Sequence, residues 1–251
     1  MNGTELAIIV ALFFVTAVVG VVTGSNSLIT VPVMFQFGID PKVAVATNMF
    51  GLTFMSIGAS IPFLRSGSID RQQLTPLVIL TLIGSAIGAG LVALIAPAGL
   101  KLIVSVAMIT VTLFTLLNRR KGLERTDAGS AGRSLTYLLT FALAIYGGLY
   151  SGGYVTMLTA VYVAFFGMTF SESVAATKVI NVFSSAIATI VFMWQGLVDY
   201  RLGLILAVTM FAGAYIGAHT VTKLNDLWLR RIFVTVVLAL AIKTILDFRL
   251  L

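Results

Sequence analysis

Two polar clusters interrupt an otherwise apolar chain, and their residue types suit the binding of an anion. The first pairs Thr47 and Asn48 with the run Gly24-Ser25-Asn26-Ser27; the second pairs Thr177, Lys178 and Asn181 with Ser151-Gly152-Gly153. Lysine brings three N–H donors and a positive charge, asparagine two donors and an acceptor, and threonine a hydroxyl. A helix broken at glycine frees backbone N–H groups, and the N-terminus of the half-helix that follows attracts negative charge. Gly24, Ser25, Asn26, Thr47, Asn48, Ser151, Gly152, Gly153, Thr177, Lys178 and Asn181 are therefore the candidate substrate-binding residues.

Catalysis is a poor fit to this set. A membrane enzyme or lipid-handling protein would need a nucleophile–base pair or an embedded carboxylate cluster, and the sequence offers neither. With no cysteine and one histidine, His219, disulfides, thiol chemistry and Cys-ligated metal are excluded and a metal site is not expected. No cofactor is called for. A channel is a third reading, disfavoured because no ring of like residues is evident.

Each candidate also has a bland reading. An ionisable residue in membrane-type sequence marks function by default, yet Lys178 could snorkel to a helix end roughly 13 Å away. Left unpaired at depth, its ammonium would cost several kcal/mol, a cost that a bound anion removes. The glycine breaks line a cavity or form tight loops between packed helices. His219 near a helix end reads as an interfacial or packed residue, and Arg65 and Arg201 as loop charges.

The elements that must position these residues are membrane helices. The 251 residues are 59% hydrophobic and only 10% charged, with a mean hydropathy of +1.07, where a soluble domain carries about 25% charge. Several apolar stretches reach the ~18 residues that span a bilayer as helix, and none alternates like a barrel strand. The fold class is an all-α polytopic membrane protein. Its net charge of +7, from 16 basic and 9 acidic residues, sits mainly in loops. Positive-inside topology and anionic lipid explain it without nucleic acid. No basic residue precedes Lys42, so the first helix lacks the start of a signal peptide and belongs to the fold.

Taken in order, the first helix covers 5–23 and the Gly24–Ser27 break follows. The apolar piece 28–37, about 15 Å of helix, is too short to cross. Asp40-Pro41 reads as an N-cap with proline in the first turn, opening a helix to about Leu64. A polar loop at 65–73 precedes helices at 74–95 and 100–117. Segment 118–133 is the longest polar stretch. Its Arg119, Arg120, Lys121, Arg125 and Arg133 outnumber its two acidic residues, which predicts a cytoplasmic linker. Helices then follow at 134–150, 154–166, from a Thr169-x-x-Glu172 capping box to about Gln195, at 200–221 and at 227–248.

The two halves repeat. At an offset of 129, Gly38 meets Gly167, Gly67 meets Gly196, Asp70 meets Asp199, and Gly84 and Gly88 meet Gly213 and Gly217. Ala46-Thr47-Asn48 meets Ala176-Thr177-Lys178 at 130. The expected organisation is a repeat at 1–118, a linker at 119–133 and a second repeat at 134–251, each of about four helical segments with a broken or re-entrant first one. A spanning first segment gives parallel repeats and a hairpin gives inverted ones; the short pieces after the breaks favour the inverted pair. Thr47 and Thr177 then lie seven or eight residues past their helix starts, about 10–12 Å deep at the usual rise. Transporters of repeat design hold substrate at that depth.

The order of these motifs resembles the sulfite exporter TauE/SafE family, a TSUP-type group of anion transporters. The resemblance rests on Gly24-Ser25-Asn26-Ser27, Val31-Pro32-Val33 and Ala44-Val45-Ala46-Thr47, echoed by Ser151-Gly152-Gly153 and Ala175-Ala176-Thr177. Gly67-Ser68-Ile69-Asp70 and Gly196-Leu197-Val198-Asp199 extend it over nearly the whole chain. It implies a secondary transporter of a small sulfur-containing anion (sulfite, a sulfonate or a sulfoacetate-like organic anion). The expected setting is the cell inner membrane, as a multi-pass exporter, and a homodimer is compatible with it. Two departures leave the particular anion open: GSNS has fewer glycines than is usual, and Pro32 has no counterpart near Ala160-Val161.

Overall fold

Capping and glycine geometry divide the chain where the residue types predict. A computed structural model describes residues 3–24, 26–65, 71–104, 106, 129–221, 223 and 231. Eight helices are delimited among them: α1 Gly3–Thr23, α2 Ser27–Gln36, α3 Pro41–Arg65, α4 Arg71–Val92, α5 Gly129–Leu149, α6 Tyr154–Phe165, α7 Phe170–Trp194 and α8 Tyr200–Val221. Residues 97–104 add a further helical stretch, and the described residues contain no strand. The regular structure of the described residues is all helical. Among the described residues five helices are long and apolar enough to cross a membrane, namely α1, α3, α4, α7 and α8, whereas α2 and α6 have 10 and 12 residues.

The caps hold in atomic detail. Asp40 Oδ1 accepts from Lys42 N at 2.9 Å and Val43 N at 3.3 Å, starting α3 at Pro41. The capping box opens α7: Glu172 N donates to Thr169 Oγ1 at 3.2 Å and Thr169 N to Glu172 Oε2 at 2.9 Å. The breaks hinge on Gly24 (φ 66°) and Gly153 (φ 78°), a left-handed conformation that glycine adopts without the Cβ clash.

Boundaries shift in three places. α4 starts at Arg71 and ends at Val92 rather than running to Ile95, because Leu94 N and Ile95 N turn back to Leu91 O and Val92 O ahead of Pro97. Residues 129–133, expected in the linker, form the first turns of α5. Residues 119–128, the loop with Gly67 and Asp70, and most of the helices expected at 100–117 and 227–248 lie outside the described residues.

Glycines let helices from opposite ends of the chain touch. A Cβ on Gly84 would lie 2.8 Å from Ala144 Cβ, one on Gly88 would collide with Ile145 O, and Gly148 faces the Ser85 backbone, so α4 and α5 run alongside in the same direction. Gly213 and Gly217 pack likewise against the Phe14 and Val18 carbonyls, aligning α8 with α1. Gly58 against Phe211 and Gly203 against Phe50 align α3 with α8. Ser85 to Ser184 and Ala89 to Gln195 align α4 with α7.

The α3–α7 crossing runs the other way. Thr47 Oγ1 accepts from Asp199 N at 3.0 Å, Thr53 pairs with Thr189 at 3.1 Å, and Ser56 accepts from Asn181 Nδ2 at 2.6 Å. As one number rises the other falls, so these helices are antiparallel. Helices α1, α3 and α8 thus share one direction, and α4, α5 and α7 the opposite one.

Candidate functional site

The two breaks and the middles of α3 and α7 enclose a small cavity. α1 and the first break contribute Gly20, Gly24, Asn26 and Ser27; α3 contributes Leu52 and Met55; the second break and α6 contribute Ser151 and Val155; α7 contributes Lys178 and Asn181. The space is about 10 Å³, room for about one water molecule. Leu52, Met55 and Val155 make its lining partly apolar, and Asn26, Ser27, Ser151, Lys178 and Asn181 bring donors.

Lys178 points into this cavity and not toward an interface. It is 3% exposed, and Nζ donates to the Gly20 carbonyl at 3.0 Å. That carbonyl also receives Gly24 N at 2.8 Å, so one oxygen ties the lysine to the first break. The residues lining the cavity include no carboxylate. The acceptor that holds Nζ is neutral, so no group in this lining offsets a positive charge there.

Asn181 lies three residues on, and i,i+3 spacing puts it on the same face of α7. Its Nδ2 donates to Ser56 Oγ at 2.6 Å, and its Oδ1 has no partner among the described residues. Asn26 in the first break matches it, with Nδ2 toward Met55 Sδ at 3.3 Å and Oδ1 without a partner among the described residues. Half a turn of either amide exchanges oxygen for NH₂, so both can meet a guest as acceptor or donor.

At the cavity wall, hydrogen bonds converge on Ser27. Its Oγ lies 2.7 Å from Ser151 Oγ and accepts from Asn48 Nδ2 at 2.8 Å, while Thr30 Oγ1 donates to Asn48 Oδ1 at 2.7 Å. Tyr150 OH donates to the Ser27 carbonyl at 2.9 Å and Tyr146 OH to the Gly152 carbonyl. The Tyr150 ring occupies the space that a Cβ on Gly152 would need.

Of the residues singled out in the sequence, Gly24, Asn26, Ser151, Lys178 and Asn181 line the cavity. Asn48 stands one hydrogen bond behind it, and Gly152 and Gly153 shape the second break. Thr47 and Thr177 face elsewhere: Thr47 receives Asp199 N, and Thr177 Oγ1 bonds to Val174 O and Thr159 Oγ1. Ser25 lies outside the described residues. The sequence reading missed Gly20, Ser27, Leu52, Met55, Val155 and the supporting Tyr150. A signal existed for two of them, since Asn48, Leu52 and Met55 are spaced i, i+4, i+7 along one helix face.

The sequence pattern of the family described as "Sulfite exporter TauE/SafE" matches residues 8–244. The chain belongs to the TauE/SafE family. Relatives of this TauE/SafE protein include "Probable membrane transporter protein ORF9" of Sinorhizobium sp, 27% identical over 96% of this chain and 93% of the relative. "Probable membrane transporter protein YfcA" of Escherichia coli K12 is 25% identical over 94% and 89%, and a "Probable membrane transporter protein" of Haemophilus influenzae is 24% identical over 96% and 95%. No solved structure matches the chain. Family and relatives are transporters rather than enzymes, and this TauE/SafE chain is a multi-pass membrane transporter.

Proposed function

We propose that the cavity between the breaks is the substrate site of a secondary transporter that exports a small sulfur-containing oxyanion, such as sulfite or a sulfonate, across the inner membrane. The observation that carries this reading is Lys178: a buried ammonium, in a cavity formed by both breaks, without a carboxylate on the walls. Lys178 supplies the charge, Asn26 and Asn181 turn their amides to the guest, and the Gly24 and Gly152 breaks supply backbone donors. Leu52, Met55 and Val155 form the apolar wall, which suits the soft or alkyl end of such an anion better than a fully hydrated ion.

The first half, 1–118, and a second half that opens with α5 at Gly129, joined by a cytoplasmic linker, form an inverted repeat in this reading. Support comes from helix direction. α1, α3 and α4 have α5, α7 and α8 as their counterparts by position, and each pair runs in opposite senses. α1 and α3 run the same way with the 10-residue α2 between them, as a re-entrant hairpin requires. α5, α6 and α7 repeat the arrangement, with 12 residues in α6. Such a repeat places its site at mid-depth, where the two halves exchange access.

The test is a binding and flux screen on purified protein in vesicles, comparing sulfite, sulfate, taurine, isethionate and acetate. Saturable flux of a sulfur oxyanion that acetate does not inhibit supports the reading. Equal flux of all five, or of none, sinks it.

A further inference from the structure

Ser27 is where the two breaks are fastened together, and its hydrogen bonds have a direction. The Asn48 amide receives Thr30 Oγ1 on its oxygen and presents Nδ2 to Ser27 Oγ. An amide NH₂ only donates, so Ser27 keeps its own hydrogen to offer to Ser151 Oγ, 2.7 Å away, or to a guest. Donors linked in series strengthen one another. Ser27, Asn48, Tyr150 and Ser151 are all buried, so little water competes for these groups.

The cavity beside this pair accommodates about one water at 10 Å³, and a sulfur oxyanion has several heavy atoms. Loading must therefore part the breaks. Among the described residues, the side-chain bonds across them are the Ser27–Ser151 pair and the Tyr150 hydroxyl on the Ser27 carbonyl.

We propose that Ser27 and Ser151 form an anion clasp, in which an arriving oxyanion replaces their mutual hydrogen bond with one O–H donor bond from each serine. This rests on the reading of the cavity as an oxyanion site. Closed, the clasp satisfies both hydroxyls and avoids stranding buried polar groups. Open, the same two hydroxyls face the guest together with Lys178. Asn48 is a positioning residue: from α3 it holds the Ser27 hydroxyl while the second break moves, and the Tyr150 bond to the Ser27 carbonyl opens with the clasp.

The chain has no cysteine, so a Ser27→Cys/Ser151→Cys double variant can be cross-linked without interference. Isethionate flux into vesicles is the readout, because sulfite would cleave a disulfide. Oxidation is expected to lower flux by roughly tenfold or more, and dithiothreitol to restore it. Ser27→Ala is expected to raise KM for isethionate or sulfite by roughly tenfold with maximal rate little changed, and Ser27→Thr to recover most of that loss. Where the wild type carries sulfite alone, the KM comparison decides. Undiminished flux in the oxidised variant, or an unchanged KM in Ser27→Ala, overturns the clasp while transport by the wild type stands. A wild type that moves neither anion removes the transport reading along with the clasp.

Discussion

Lys178 Nζ lies 3.0 Å from the carbonyl oxygen of Gly20, across a sequence separation of 158 residues. One bond thus joins the second cluster of candidate residues to the helix that leads into the first break. A backbone carbonyl satisfies a donor but carries no net charge, so an arriving anion can draw the ammonium away from it.

Lys178→Gln retains a hydrogen-bonding side chain and deletes the charge. Anion affinity should fall by roughly tenfold or more, about 1.4 kcal/mol or above. Lys178→Arg should fall between the two, since the charge persists on a larger, planar group. Titration of all three forms in one lipid composition checks the order. Equal affinities would leave the lysine as a structural prop for Gly20.

Gly152→Leu should insert into the membrane but lose flux by roughly tenfold or more. Any Cβ there runs into the Tyr150 ring, which would be pushed off the Ser27 carbonyl. Yield after solubilisation and flux are measured side by side. Normal yield with normal flux would show that the second break tolerates displacement.

Gly88 and Gly90 lie two residues apart on α4 and should respond oppositely to alanine. At Gly88 a methyl group meets the Ile145 carbonyl, and at Gly90 nothing lies within 4 Å. Gly88→Ala should destabilise by about 1–3 kcal/mol through overpacking, while Gly90→Ala should gain up to about 1 kcal/mol of helix propensity. Thermal unfolding in detergent distinguishes them, and matching shifts would contradict the close α4–α5 packing.

Inverted repeats carry a topological prediction. Lys42 and Ser171 occupy equivalent positions at the starts of α3 and α7. Single Lys42→Cys and Ser171→Cys variants should react with an impermeant maleimide from opposite sides of the membrane. Labelling from the same side would overturn the inverted arrangement.

What could be read from sequence was whatever depends on neighbours along the chain. Asp40, the Thr169-x-x-Glu172 box and the glycines at 24 and 153 act on their own helix ends, and those ends fell within a few residues of expectation. Lys178 and Asn181 were legible because charge and polarity stand out in apolar helix. Thr47 and Thr177 had the same apparent depth, yet depth does not specify which way a side chain faces around the helix. Asp199 N, supplied from across the fold, holds Thr47 away from the cavity. Gly20, Leu52 and Val155 resemble ordinary membrane residues, and only the folding of one half onto the other makes them walls. Ser27 was visible in the GSNS run, but its role depends on Tyr150 and Ser151, more than 120 residues away.

The glycine seam between α1 and α8 bears on the birth of the protein. α1 leaves the ribosome well before α8, and the groove that receives Phe14 and Val18 belongs to Gly213 and Gly217. At about 5–20 residues per second, some 10–40 s of synthesis separate the two surfaces. Through that interval α1 waits in lipid beside unrelated helices, and the first half has neither its seam nor its cavity. Quality control that samples nascent chains would therefore meet a half-built transporter as the normal state, and truncated products should be recognised by an unsatisfied α1.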